Sequence, residues 1–251
     1  MTTFDAFAAL HVPGAPLLLV NAWDVCSALA LARAGHPAIG TTSLGLTAAA
    51  GEPDGARHGS ELTFELARRL QGRLSVPLSV DLEDGYGDEP GAVSDLVSAA
   101  ADLGVVGVNL EDARRPAPEH AAIVAAVRSA NDGVFLNART DEFWSGEHRL
   151  ATALERCRAY RDAGAHGLFV PGLADPRDLD AVAGLGLPVN ILWHQGVDLG
   201  STAAARVSTG SLLYRSALAA ALCAADAARS ERAPPPALDY AETQHLLARA
   251  P

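Results

Sequence analysis

The chain has 251 residues and a formal net charge of −11 at pH 7. This length suits one large α/β domain or two small ones, and a hydrophobic content of 49% is enough to build a large core. The negative charge argues against nucleic acid and anionic membrane surfaces as partners. It permits a small anionic substrate, because a local cation can reverse the field inside a site.

The cysteines and the N-terminus indicate the compartment. Cys26, Cys157 and Cys223 are widely spaced and odd in number, which fits a reducing environment and gives no metal-ligand spacing. We find no basic segment followed by an apolar run at the N-terminus, and no run of about 18 uncharged apolar residues. We therefore expect a cytoplasmic protein without a signal peptide or membrane span.

Short apolar runs, typical of strands, alternate with helical patterns along the chain. The predicted strands are residues 17–20, 38–43, 78–83, 105–110, 134–138, 167–170, 188–193 and 206–208. The predicted helices are residues 25–34, 61–70, 91–102, 119–130, 150–163, 175–182, 198–205 and 211–227, with a final helix at 240–249. A loop at 45–59 connects the second strand to the second helix.

The alternation predicts an α/β fold of the (β/α)8 TIM-barrel type, in which residues 1–233 form a single domain. Residues 234–251 hold a proline linker and an extra C-terminal helix. A doubly wound open sheet is the alternative, but it usually carries fewer strand–helix repeats. The first strand–helix turn, at residues 21–24, also lacks a glycine-rich loop for a dinucleotide.

An acidic stretch, PLSVDLEDGYGD at residues 77–88, ends the third predicted strand. Asp81 and Glu83 are two positions apart, so in an extended strand both side chains leave the same face. Two such carboxylates repel each other unless a cation lies between them or one is protonated. Mg²⁺ or Mn²⁺ is the natural partner for oxygen ligands of this kind. A solvated acidic turn is the alternative interpretation.

Polar residues stand at several other strand ends, where a barrel carries its chemistry. With Asp54 from the second loop, they are Thr42, Ser43, Asp81, Glu83, Glu111, Arg139, Asn190 and His194. As a group they indicate a metal site beside an anion clamp. Taken singly, Arg139 could be a structural ion-pair partner of Asp141 or Glu111, and His194 could be a packed histidine beside Trp193.

Several segments then carry a family resemblance. They are TTSL at 41–44, GEPD at 51–54, VDLEDGYG at 80–87, VNLED at 108–112, NARTD at 137–141, AGAH at 163–166 and FVP at 169–171. In this order, from about Asn21 to about Leu213, the chain resembles the isocitrate lyase / phosphoenolpyruvate mutase superfamily. The resemblance implies an α/β-barrel enzyme that uses Mg²⁺ on 2-oxo acids or their enolates. It also implies a homodimer or homotetramer in which a C-terminal helix packs on a neighbouring subunit.

The resemblance further implies a role for each matching position. Asp81, Glu83 and Glu111 occupy metal-binding positions, partly acting through water, and Asp54 matches an acid that helps to hold the ion's waters. The substrate-binding candidates are Thr42, Ser43, Leu44 and Arg139, together with Asn190 and His194 from the seventh strand end. Arg139 and Asp54 are also the first catalytic candidates.

The loop after Glu111 departs from the family pattern. EDARRPAPEH at 111–120 has neither the cysteine of the lyase lid nor the Lys-x-Asn-Ser motif of the mutase lid, and the chain contains no lysine. The first hypothesis is therefore a lyase, decarboxylase or hydrolase without the usual lid cysteine. The alternatives are chemistry at the P–C bond of phosphonopyruvate or phosphoenolpyruvate, and a catalytically silent protein that binds metal and carboxylate.

Three residues of this loop could replace the missing lid groups. Arg114 and Arg115 stay protonated, so they can clamp an anion but are poor acid–base groups. His120 can move a proton near neutral pH, which makes it the catalytic candidate of the loop. A surface residue at a helix start is the simpler interpretation of His120.

Overall fold

The computed structural model describes residues 3–55, 58–144, 146 and 149–248. Its eight strands are all parallel, and β1 pairs with β8, so that the sheet closes into a barrel and confirms the predicted (β/α)8 fold. The strands are β1 (Leu17–Ala22), β2 (Ile39–Thr41), β3 (Leu78–Asp81), β4 (Gly107–Glu111), β5 (Phe135–Arg139), β6 (Gly167–Phe169), β7 (Val189–Leu192) and β8 (Arg206–Ser208).

Helices surround the barrel. They are α1 (Phe4–Ala8), α2 (Val25–Arg33), α3 (Ser43–Ala49), α4 (Gly59–Leu70), α5 (Pro90–Asp102), α6 (Ala117–Ala130), α7 (Leu150–Asp162), α8 (Pro176–Ala183), α9 (Leu212–Arg229) and α10 (Tyr240–Leu247). Of the helices described, none combines the length and the apolar character that crossing a lipid bilayer requires.

Two local predictions of secondary structure are wrong, and one helix was missed. The segment predicted as a loop begins with α3, and Thr42 caps this helix by accepting a hydrogen bond from the Gly45 N–H at 3.4 Å. No helix occupies 198–205, where the Asp198 carboxylate instead accepts bonds from the Gly200 N–H at 2.9 Å and the Ser201 hydroxyl at 2.7 Å. Helix α1 was not predicted, because five residues are too few for a helical period to emerge.

Helix α1 packs across the amino-terminal end of the barrel, here called the base. Phe7 is fully buried there, edge-on to Phe135 with ring centroids 5.7 Å apart, and His11 stacks on Phe135 at 4.3 Å. Gly107 makes room for the Phe7 ring of α1, since a β-carbon at this position would lie 2.6 Å from Phe7 Cε1. Aromatic packing therefore fills the base and leaves the polar strand ends at the opposite end, the mouth.

A layer of polar side chains lies inside the barrel between base and mouth. Arg206 is 1% exposed and donates from Nη2 to Asn109 Oδ1 at 2.6 Å and from Nε to Ser208 Oγ at 3.3 Å. Burial lowers the pKa of this guanidinium to about 9. No sequence pattern marked Arg206, which reads only as the first residue of a short strand.

Candidate active site

Arg139 is the best-anchored side chain at the mouth. Its Nη1 lies 2.7 Å from Glu111 Oε2 and its Nε lies 2.7 Å from Asp141 Oδ1, so both of the ion pairs that the sequence suggested as alternatives are present together. The guanidinium also lies over the Phe169 ring, 5.6 Å from the centroid. The carboxylates of Glu111 and Asp141 raise the pKa of Arg139 against the effect of burial, which keeps it protonated.

Asp81 ends β3 beside these groups. Its Oδ1 is fully buried and has no hydrogen-bond partner among the described residues. Burial raises the pKa of Asp81, the Asp54 carboxylate raises it further, and Arg139 and a hydrogen bond from Ser43 oppose the rise. An unpartnered buried carboxylate oxygen is costly, which makes it a strong candidate for a cation ligand.

Glu83 reaches the mouth by a different route from the predicted one. The strand ends at Asp81, and Glu83 has a left-handed φ of 49°, so simple alternation along an extended strand is wrong at this position. The Tyr86 hydroxyl donates to Glu83 Oε1 at 3.3 Å. Burial, followed by repulsion from Asp81, raises the pKa of Glu83 to about 7. A β-carbon at Gly59, the first residue of α4, would overlap Glu83 Oε1.

Glu111 completes a crowded set of acids. Burial raises its pKa to about 8 even though the paired Arg139 lowers it, and Asp141, Asp81 and Glu83 add to the rise. Burial is the first cause of the raised pKa values of Asp81, Glu83 and Glu111, and repulsion among neighbouring carboxylates adds to it. A divalent cation fits this donor set, because oxygen ligands and excess negative charge are what Mg²⁺ requires.

The three carboxylates do not form a closed ligand cage. Within the described ranges, no three histidine, cysteine or acidic side chains come close enough to hold a metal ion by themselves. If a divalent cation is bound, the unpartnered Oδ1 of Asp81 would be its natural direct ligand, and Glu83 and Glu111 would act through bound water. Mg²⁺ usually retains several waters, so this arrangement suits it.

The remaining candidates differ in how close they lie to this cluster. Asp54 is exposed in its loop but near enough to raise the pKa of both Asp81 and Glu83. The segment Thr42 to Leu44 forms the start of α3. Asn190 is buried in the barrel, where its Oδ1 accepts a bond from Ser208 Oγ at 3.0 Å. His194 is half-buried in the loop after β7, with Nδ1 3.1 Å from the Gln195 carbonyl oxygen.

His120 is not a surface residue, contrary to the simpler interpretation of the sequence. It is fully buried in α6, with its ring edge-on to Tyr160 at 4.8 Å, and burial lowers its pKa to about 4. The charged groups that influence it are Asp112, Arg115 and Arg156 behind the loop that follows β4. A neutral, enclosed imidazole is poorly placed to exchange protons with a ligand at the mouth.

Sequence reasoning missed three side chains that shape the site. Tyr86 bonds Glu83, Phe169 lies under Arg139, and Asp112 ties the loops after β4 and β5 together. Tyr86 and Asp112 stand inside the acidic motifs, so their position was a usable signal. Phe169 reads simply as part of an apolar strand, and nothing in the sequence marks it as an arginine partner.

The fold and the mouth together define a class of protein: a (β/α)8 barrel with buried carboxylates around an anchored arginine. The family model described as phosphoenolpyruvate phosphomutase matches residues 7–229. The chain therefore belongs to this family, within the isocitrate lyase / phosphoenolpyruvate mutase superfamily, which confirms the resemblance.

Individual relatives agree with this placement. The uncharacterized protein Rv1998c of Mycobacterium tuberculosis is 43% identical over 96% of each chain. The 2-methylisocitrate lyase of Salmonella typhimurium is 31% identical over 68% of this chain and 63% of its own length. A crystal structure from Burkholderia cenocepacia, provisionally named a phosphonomutase, has a TM-score of 0.83 and 37% identity, and covers 88% of this chain and 97% of that one.

Proposed function

We propose that this protein is an Mg²⁺-dependent enzyme that acts on a small 2-oxo acid or related carboxylate through an enolate intermediate. The bond that changes is a C–C bond, as in a lyase, decarboxylase or hydrolase. One observation supports the proposal most strongly. The carboxyl groups of Asp81, Glu83 and Glu111 lie close enough together that Asp81 raises the pKa values of the other two, and they lie beside the guanidinium of Arg139, which its ion pairs hold in place.

Arg139 would orient the anionic oxygens of the substrate. Its two ion pairs use Nε and Nη1, and neither uses Nη2. A guanidinium held by two carboxylates and an aromatic ring loses little conformational freedom when it binds an anion. Because its pKa is raised, Arg139 acts as a fixed positive charge and not as a proton donor.

Asp81 would hold the metal ion directly, with Glu83, Glu111 and the nearby Asp54 holding its water ligands. A bound Mg²⁺ acts as a Lewis acid on the carboxylate and 2-oxo oxygens of a ligand and favours enolate formation. Ser43, the first residue of α3, is close enough to Asp81 to lower the pKa of its carboxyl. The same segment, Thr42 to Leu44, lies where the substrate carboxylate would be bound.

The chain offers few side chains that could transfer a proton to or from a substrate at the mouth. The loop after Glu111 has no cysteine, and the burial of His120 removes it from the side chains that could touch a ligand at the mouth. On the β7 side of the barrel, the half-buried His194 remains as a candidate substrate contact, whereas Asn190 is 1% exposed and is held by Ser208 in the polar layer. Water bound at the mouth is the simplest proton source for an enolate in such a site.

Chemistry at a P–C bond is the second candidate, favoured by the family match itself and by the provisional name of the Burkholderia structure. A catalytically silent protein that binds metal and carboxylate is the third, favoured by the absence of both lid motifs.

A turnover assay separates these three functions. Purified protein would be incubated with Mg²⁺ and a panel of 2-oxo and 2-hydroxy di- and tricarboxylates, and with phosphonopyruvate, while new 2-oxo acid and free phosphate are measured. We expect C–C cleavage that EDTA and Asp81→Ala both abolish. Phosphate release would favour the second candidate, and Mg²⁺-dependent oxalate binding without turnover the third. Turnover that survives both EDTA and Asp81→Ala would contradict a metal-dependent mechanism.

We also propose that the protein forms a homodimer or homotetramer. The support comes from α9, which carries no charged residue from Ser216 to Ala225 and exposes Leu218 by 50% and Leu222 by 73%. A continuous exposed apolar face of this kind is typical of an interface.

Helix α10, in contrast, packs on its own barrel, where Arg73 Nη2 donates to the Leu247 carbonyl oxygen at 3.1 Å. Leu222→Glu should lower the mass measured by light scattering, whereas an unchanged mass would exclude α9 as the interface.

A further inference from the structure

Asp112 binds the loop after β5 as well as its own loop. Its backbone N–H donates to the Arg139 carbonyl oxygen at 3.0 Å. Its Oδ1 accepts the N–H of Arg114 at 3.1 Å and the N–H of Asp141 at 3.3 Å. One residue thus holds the carbonyl of Arg139 and the N–H of Asp141, which is the backbone on the carboxyl side of the arginine that anchors the mouth.

The other carboxylate oxygen of Asp112 is held from behind by α7. Oδ2 accepts the Tyr160 hydroxyl at 2.7 Å and Arg156 Nη1 at 3.0 Å, and both partners are buried or nearly so. Arg156 also donates to the Arg115 carbonyl oxygen at 2.8 Å and to Glu142 Oε1 at 2.9 Å. Asp112 itself is 1% exposed, so it cannot touch a ligand.

We propose that Asp112 is a positioning residue for the mouth, which fixes Asp141 and through it the guanidinium of Arg139. The geometry supports a direct line of action. Asp112 Oδ1 holds the Asp141 backbone, and the Asp141 carboxylate holds Arg139 Nε at 2.7 Å. A shift of the loop would move the Asp141 carboxylate and turn the guanidinium away from Glu111.

The same contacts explain how the short loop after β4 can be held in a single conformation. Ala113 and Arg114 both have left-handed φ angles, 43° and 66°, which are costly for non-glycine residues and persist only where surrounding contacts impose them. Asp112 supplies such contacts on one side of this turn. Arg115, which bonds Asp84 Oδ2 and Asp88 Oδ1 at 3.3 Å each, supplies them on the other. The loop is therefore built in one fixed geometry.

Two variants test this role, and a third is the control. Asp112→Asn keeps the shape but places an amide donor against either the two backbone N–H groups or the Tyr160 and Arg156 donors. Tyr160→Phe removes the bond that the hydroxyl donates to Asp112 Oδ2 at 2.7 Å and the longer one that it accepts from Arg156 Nη1 at 3.4 Å, and it leaves the Asp112 carboxylate in place. Val124→Ala, in the fully buried face of α6, lowers stability without touching the network. Each variant would be measured by calorimetric titration with oxalate in excess Mg²⁺ and by amide hydrogen exchange.

We expect Asp112→Asn to weaken oxalate binding by about 10- to 100-fold, as is usual when the partners of site residues are removed. Tyr160→Phe should weaken it by a smaller factor. In both variants the amides of Arg114 and Asp141 should exchange faster, while in Val124→Ala they should change no more than other amides. Equal changes in all three variants would overturn the positioning role.

The oxalate measurement rests on the proposed function, but the exchange measurement does not. If wild-type protein binds no oxalate with Mg²⁺, the proposed function fails. Faster exchange at Asp141 in Asp112→Asn would then still support positioning, and unchanged exchange would overturn it. If Asp112→Asn does not fold, Tyr160→Phe decides by the same two readouts.

Discussion

Burial favours the neutral form of titratable groups at both ends of this barrel, but the two ends differ in what surrounds those groups. At the base, burial lowers the pKa of the buried His11 to about 3 and that of the half-buried His166 to about 4, and both rings pack against Phe135. At the mouth, burial raises the pKa values of Glu83 and Glu111, and repulsion from neighbouring carboxylates adds to the rise. The base therefore contributes apolar packing to stability, whereas the mouth concentrates acids at a cost in stability, as the proposed metal site would require.

A single strand illustrates the contrast. The inward face of β5 places Phe135 against α1 at the base, Asn137 in the polar layer and Arg139 at the mouth. Side chains two positions apart share a face, so one strand passes from aromatic to amide to cation within five residues. Changes at the two ends should accordingly have separable effects, on ligand binding at one end and on stability at the other.

The largest expected effect is at the mouth. Asp81→Asn should abolish the stabilisation by Mg²⁺ while leaving the metal-free melting temperature unchanged or higher, because it removes a charge that burial disfavours. Asp95→Asn, at an exposed position of α5, is the matched control for net charge. Thermal melting with and without Mg²⁺ provides the comparison. Normal Mg²⁺ stabilisation of Asp81→Asn would remove Asp81 from the metal site.

The reciprocal change is at the base. Phe7→Ala should cost about 3–5 kcal/mol of unfolding free energy, because it empties the space between α1 and Phe135. The affinity of the remaining folded protein for Mg²⁺ and oxalate should stay within about twofold, since distant independent sites behave additively. Denaturant unfolding and calorimetric titration measure the two quantities. A large loss of affinity would show that the base and the mouth are coupled.

A smaller effect should follow from a change of one glycine beside Glu83. A β-carbon at Gly59 would overlap Glu83 Oε1, so Gly59→Ala should move this carboxylate and weaken Mg²⁺ binding by about tenfold. Gly91→Ala is the matched control, because it also lies in the first turn of a helix and would meet nothing within 4 Å. It should leave binding unchanged and add about 0.4–1 kcal/mol of stability. Equal Mg²⁺ affinities in the two variants would contradict the placement of Glu83 at the metal site.

The smallest effect is a dependence of stability on pH. Glu83 and Glu111 titrate near 7 and 8 in the metal-free folded state, against 4.5 for the ordinary group. The folded state thus holds more protons than the unfolded state, and stability falls as the pH rises through this range. The buried histidines have lowered pKa values and act in the opposite direction, but only below their ordinary value of 6.5.

The window from pH 6.5 to 8 therefore isolates the mouth. The melting temperature of metal-free protein should fall across it, and Glu111→Gln should flatten the fall. Saturating Mg²⁺ should flatten it as well, because the ion compensates the charges that protons otherwise neutralise. A melting temperature of metal-free wild-type protein that does not change with pH would mean that folding does not raise the pKa values of Glu83 and Glu111.

Much of this structure could be predicted from the sequence, because apolar runs and helical periods are local signals. Eight alternating pairs were enough for the barrel, and the parallel strands then place Asp81, Glu111 and Arg139 at one end. Turn chemistry was harder to predict: α3 was hidden in a glycine-rich segment, and a run of small residues after Asp198 suggested a helix where the structure has turns bonded to the Asp198 carboxylate.

What the sequence could not give is the partner of each side chain. Glu83 faces the mouth through a left-handed backbone that no periodic pattern predicts. The sequence around His120 is typical of a surface residue at a helix start, but in the structure Tyr160 of α7 packs against its ring. Asp112, although part of a recognisable motif, reveals its contacts with Asp141 and Tyr160 only when the loops after β4 and β5 and helix α7 are placed together.

The most direct test of the mouth as an enolate-binding metal site is a thermal melt with oxalate, a mimic of the enolate, in the presence and absence of Mg²⁺. A ligand that binds only the folded state raises the midpoint by mass action. We expect a rise with oxalate that requires Mg²⁺ and that Asp81→Ala abolishes. The same midpoint with and without both additions would contradict the central claim, and the carboxylates at the mouth would then serve the fold alone.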